Sequence, residues 1–148
     1  LKNLIKITFV IISLLWLVGS LLPLFAIPGS IISFPFLNIF YSPVCHQESS
    51  KLICSNLGCS FLCARCVGIY SGVFLASLLI LFRKNITELH IKYFLISSIP
   101  LLLDVILISS GFYDYSKTSA YFTGLIFGSA AFYYFYIGIM NWKAQKNY

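Results

Sequence analysis

Four long apolar runs divide the chain, at about residues 7–27, 61–82, 93–111 and 120–142. Each approaches or exceeds the ~20 residues that an α-helix needs to cross the hydrocarbon core of a bilayer. The links between the later runs, 83–92 and 112–119, are short and carry charge. Only between the first two runs does the chain hold a substantial polar stretch, residues 42–60. It is preceded by Pro28-Gly29-Ser30, a breaker, and by an apolar, aromatic segment from Ile31 to Tyr41 that is too short to cross. That segment is expected to lie in the membrane interface or dip into the bundle. The pattern predicts an all-α integral membrane bundle of four transmembrane helices. It forms a single domain, residues 1–148, with a Cys/His-rich segment at 42–66 leading from helix 1 into helix 2.

Composition excludes a soluble globule. With 59% hydrophobic and 9% charged residues, the chain lacks the polar surface to cover itself in water. The net charge of +6 does not indicate nucleic acid, because the basic residues are too scattered to track phosphates. They report topology instead. Lys2, Lys6, Arg83, Lys84, Lys92, Lys143 and Lys146 fall on one side of a four-span chain, leaving Lys51, Arg65 and Lys117 opposite. The positive-inside rule then places both termini in the cytoplasm. The cysteine segment faces outward, where disulfides persist. Lys2 and Lys6 before the first run also fit a signal peptide, but that run exceeds a signal core of ~7–15 residues and reads as a retained helix.

Two runs carry glycines four apart, Gly68 with Gly72 and Gly124 with Gly128. Such pairs share a helix face and let backbones approach closely. They are expected at helix contacts, with each other among the options. In the last run Tyr133 to Tyr136 and Trp142 suit an interfacial aromatic belt and packing. Asp104 lies within the third run, four residues after Pro100. A carboxylate at such depth is costly and needs a partner. Arg65, at the mouth of the second span, lies at a level from which it can reach Asp104, so an intramembrane ion pair is expected; proton handling is the alternative.

All five cysteines fall between Cys45 and Cys66, beside His46, one of two histidines. Cys63 and Cys66 form a CxxC at the start of the second span, a spacing that lets two thiolates meet one ion. Zinc then needs two further ligands, and Cys45, His46, Cys54 and Cys59 are all available. Adjacent side chains seldom aim at one ion, which favours one of Cys45 and His46 over both. The same CxxC is equally a redox signature, because a helix N-terminus and a neighbouring Arg65 favour the thiolate. His90, in the charged link, reads as solvated.

Cys45-His46-Gln47, Cys63-x-Arg65-Cys66 with Gly68-Ile69-Tyr70-x-Gly72, Pro100 with Asp104, and Thr123-Gly124 with Gly128 together resemble a known family. It is a set of small prokaryotic membrane proteins known as domain of unknown function 2085. The resemblance covers about residues 40–130 and implies a prokaryotic cytoplasmic-membrane location without implying an activity. It carries over Cys45, His46, Gln47, Cys63, Arg65, Cys66, Gly68 and Asp104. Cys54 and Cys59 stand outside the pattern, which makes them candidates for a separate disulfide. A looser likeness to quinone-coupled disulfide oxidases rests on four spans and an outward CxxC. Those enzymes carry a cysteine pair in the second outward loop, and residues 112–119 hold none.

The reading is therefore a small multi-span membrane protein with a structural metal site, zinc by preference, on Cys45, His46, Cys63 and Cys66. It is not read as an enzyme. Its partners are the lipid bilayer and, as an accessory subunit, a larger membrane complex. The alternatives are a thiol–disulfide oxidoreductase linked to a quinone, and an accessory subunit whose cysteines only form disulfides. The aromatic fourth helix leaves room for a quinone, haem or pigment.

Overall fold

The structure, a computed structural model, describes residues 2–25, 34–83 and 90–145. Its helices are α1 (Lys2–Leu21), α2 (Phe34–Tyr41), α3 (Ala64–Phe82), α4 (Ile91–Ser109) and α5 (Lys117–Gln145). Two short strands, β1 (Leu52–Cys54) and β2 (Cys59–Cys63), precede α3 and pair antiparallel. Among the described residues four segments are long and apolar enough to cross a membrane: Asn3–Leu24, Ala64–Phe82, Ile91–Ser109 and Lys117–Trp142. The all-α membrane bundle is thus the architecture, with the hairpin a minor addition. The breaker at 28–30 lies outside the described residues.

The helix ends differ from the apolar runs for local reasons. Residues 61–63, expected to open the second span, belong to β2, so α3 starts at Ala64. Hydropathy cannot tell a short apolar strand from a helix turn. Here pairing with β1 decides, pinned by a Cys54–Cys59 disulfide across the register pair. α1 begins earlier than the run, at Lys2, and ends at Leu21, where Pro23 sits in a single 3-10 turn. The apolar run past Ser109 does not extend α4. Gly111 adopts φ 71°, its N–H bonds Ile108 O, and Phe112 N–H bonds Leu107 O. This paired closure favours glycine because other residues strain there. α5 starts before its apolar run because the Ser116 hydroxyl accepts the Ser119 N–H at 3.4 Å, an N-cap.

Packing centres on α3 and α5. A Cβ on Gly68 would meet Tyr121 O, and one on Gly128 would meet Ile69 O. Gly72 and Gly124 face Leu125 O and Arg65 O in the same way. The two glycine pairs therefore face each other, and the helix backbones touch. Gly128→Ala should push the helices apart at a cost of about 1–3 kcal/mol, the usual range for overpacking. Gly138→Ala, whose Cβ would meet nothing within 4 Å, should cost nothing and gain helix propensity. Thermal unfolding in detergent measures both; equal midpoints would deny the close contact.

α1 lies on the other side of α3. Phe9 packs edge-on against Phe132 at 5.5 Å, beside Ala76, Ile80 and Tyr136 in the lower core. Tyr136 is only 1% exposed, so this member of the aromatic run serves packing rather than the interface. The upper core gathers Tyr41, Cys45, Phe61, Leu62 and Val67. There Tyr41 stacks on Phe61 and donates to Trp16 O at 3.0 Å, which ties α2 to α1. α4 rests mainly on α5 and faces outward along most of its length; its buried residue is Asp104.

Candidate metal centre

The hairpin delivers the cysteines. β2 runs straight into α3, with Cys63 at the N-cap in an extended conformation (φ −66°, ψ 158°) and Cys66 in the first helical turn. Cys45 arrives from the other direction, after the turn that closes α2, where Val44 and Cys45 N–H groups bond Tyr41 O. Burial of Tyr41 fixes that turn. The Cys63 N–H then donates to Cys45 Sγ at 3.3 Å. As a result the sulfurs of Cys45, Cys63 and Cys66 lie within 4.8 Å of one another. Tetrahedral zinc with Zn–S bonds of ~2.3 Å sets its sulfurs ~3.8 Å apart, so a contraction of at most about 1 Å would complete such a face.

Cys45 is buried while Cys63 and Cys66 are half-buried. A thiol–thiol hydrogen bond from Cys66 holds the Cys63 thiol below its ordinary value, against the opposing effect of burial, and the Cys66 backbone and the Cys45 side chain add to the lowering. The N-terminus of α3 reinforces the preference for thiolate. A trio of soft donors with one thiolate already favoured matches the chemistry of a thiophilic cation.

His46 is not part of the trio and is exposed. Once Cys45 turns inward, its neighbour along an extended chain points away. Gln47 follows with a left-handed backbone (φ 50°) and donates from Nε2 to Asn38 O at 3.1 Å. Cys54 and Cys59 are exposed at the hairpin tip. Cys59 is four strand residues from Cys63, ~13 Å along the chain, so disulfide and trio do not touch.

Arg65 bridges the trio to the bundle. Its Nη2 donates to Asp104 Oδ2 at 2.6 Å. Asp104 Oδ1 accepts from Ser119 Oγ at 2.9 Å and also from the Tyr113 hydroxyl. The guanidinium carbon lies 5.8 Å from the centre of the Tyr115 ring, within cation–π range. Arg65 Nε and the Tyr115 hydroxyl are buried without a hydrogen-bond partner among the described residues. Sequence reasoning missed Tyr113, Tyr115 and Ser119. Their signal was a short link rich in hydroxyls, facing an intramembrane acid. His90 is exposed and its carbonyl accepts the Tyr134 hydroxyl at 2.7 Å.

Neither the curated proteins nor the solved structures include a match to this chain. The family described as "Predicted membrane protein (DUF2085)" does match, over residues 45–134. That span opens on Cys45 and takes in Cys63, Cys66, Arg65, Asp104 and both glycine pairs. As the match covers more than half of the sequence, the chain belongs to this family of predicted membrane proteins.

Proposed function

We propose that the chain is a structural metal-binding membrane protein, holding zinc through Cys45, Cys63 and Cys66 at the hairpin end of the bundle. The observation that carries this reading is the convergence of three sulfurs from two separate segments within 4.8 Å. Zinc would draw the segment after α2, the hairpin and the start of α3 together. Its fourth ligand in this reading is His46, which must turn inward from its exposed position. A site that ties chain segments together suits an accessory subunit of a larger membrane complex. Metal analysis of purified protein, with a count of free thiols, tests the reading. About one zinc per chain with the trio unoxidised supports it; a metal-free protein overturns it.

A second reading, a thiol–disulfide oxidoreductase, is favoured by the low Cys63 thiol at a helix start. The ~13 Å separating Cys59 from Cys63 along β2 counts against exchange with the Cys54–Cys59 disulfide. A Cys63–Cys66 disulfide that cycles with a quinone would select this reading.

The orientation proposed for the chain puts both termini in the cytoplasm of a prokaryotic cell, because seven of its ten basic residues lie at that end. After mild reduction, a membrane-impermeant thiol reagent should label exposed Cys54 and Cys59 in intact cells. Labelling that requires opened cells would reverse the orientation.

A further inference from the structure

At the end of the bundle away from the cysteines, α3 and α4 are bridged by α5 rather than packed on each other. They are held together at the other end by Arg65 and Asp104, so the space between them opens as a wedge. It forms a groove of about 530 Å³. Leu79, Ile80, Leu125, Ile126 and Ala130 supply an apolar wall, and Arg83 lines the groove just past the end of α3. Along α5 the lining runs from Leu125 to Tyr134, nine residue steps or ~14 Å of helix. That length is close to one leaflet of a ~30 Å hydrocarbon core.

Three hydroxyls of the wall are already engaged. Ser97 donates to Tyr93 O, Ser129 to Gly72 O and Leu125 O, and Tyr134 to His90 O. The interior therefore suits hydrocarbon. The mouth suits an anion. Arg83 is exposed, and the Lys6 ammonium, only 8% exposed, donates to Arg83 O at 2.7 Å. That bond holds the Lys6 ammonium at the Arg83 backbone. Of the chain's four acids, Glu48 pairs with Lys51, Asp104 pairs with Arg65, and Asp114 follows the far end of α4. Glu88, in the link after α3, lies outside the described residues. Against it the sequence sets seven basic residues at this end.

We propose that this groove is a site for an anionic phospholipid, one acyl chain lying along Leu125–Tyr134 and the phosphate held at Arg83. Basic pockets between membrane helices recognise lipid headgroups in this way. The proposal is independent of the metal reading and of which way the chain faces the membrane.

Native mass spectrometry of the full-length protein in detergent tests it, with phosphatidylglycerol and phosphatidylcholine of identical chains added in competition. Wild type should retain phosphatidylglycerol about fivefold more, the factor expected of one basic residue near an anionic group, and lose that preference as salt rises. Arg83→Gln should bring the ratio near one, Arg83→Lys should keep it, and Ala130→Phe should reduce retention of both lipids by filling the groove. Equal retention of the two headgroups by wild type overturns the proposal whether or not the variants fold. So does an Arg83→Gln variant with an unchanged ratio, or a lipid-free dimer showing that a second copy fills the groove.

Discussion

Cys63→Ser should release the bound metal and unfold the hairpin end of the bundle. Cys63 sits at the hinge of the arrangement: its sulfur belongs to the trio, its N–H bonds Cys45 Sγ, and it occupies the N-cap position of α3. A structural zinc contributes of order 10 kcal/mol or more at neutral pH, and a site cut to two thiolates and the His46 imidazole loses much of it. Cys54→Ser removes a disulfide that closes a loop of a few residues at an exposed tip, where the gain from constraining the unfolded chain is small. Metal content should therefore fall to near zero in Cys63→Ser and stay near one in Cys54→Ser. His46→Ala should lose less metal than Cys63→Ser, since three sulfurs remain. Elemental analysis with thermal unfolding of each variant checks the series; equal metal in Cys63→Ser and Cys54→Ser would remove Cys63 from the site.

Arg65→Gln should be among the most damaging single changes in the bundle. Asp104 is 4% exposed and takes three donors, from Arg65, Ser119 and Tyr113. Without Arg65 a carboxylate stays buried with hydroxyls alone, and breaking one side of a buried pair costs about 3–5 kcal/mol. Asp104→Asn should cost less, because the Arg65 side chain is 24% exposed and can turn toward water. The double variant should recover part of the loss. A double-mutant cycle on detergent-solubilised protein reads the coupling; a value near zero would mean that the pair does not hold α4 to α3. If Asp104 instead carries protons, Arg65→Gln would leave the stability and the phenotype of Asp104 variants unchanged.

The two experiments touch one structural unit. Arg65 lies between the two CxxC sulfurs in sequence, so loosening the ion pair should also reach the trio. Metal content of Arg65→Gln, measured beside Cys63→Ser, shows how far the coupling extends.

Much of this was legible in the order of residues. Four spans follow from hydropathy alone, because bilayer thickness fixes a length that few other structures need. The glycine pairs were readable as contact faces, since a spacing of four puts both on one side of a helix. That they meet each other was decided by tertiary packing: only the assembled α3 and α5 bring Gly68 to Tyr121 and Gly128 to Ile69. The need for a partner at Asp104 was also a sequence matter, as burying a charge requires one. Its further donors, Ser119 and Tyr113, depend on how the turn at Gly111 folds the following link back over α4.

The cysteine segment shows the limit most clearly. Local spacing made Cys63 and Cys66 a pair, because three residues at a helix start stay on one side. Choosing among Cys45, His46, Cys54 and Cys59 was beyond spacing, since those residues join the pair across a loop whose path no local rule sets. The choice came from the burial of Tyr41 against Phe61, which turns Cys45 inward and leaves His46 outside, and from strand pairing that takes Cys54 and Cys59 to the hairpin tip. Sequence by itself determined the membrane bundle, its helix-contact faces and the pairing of Cys63 with Cys66, all consequences of local period and desolvation. Which sulfurs converge was decided only by tertiary structure, because long-range packing sets the direction of each side chain.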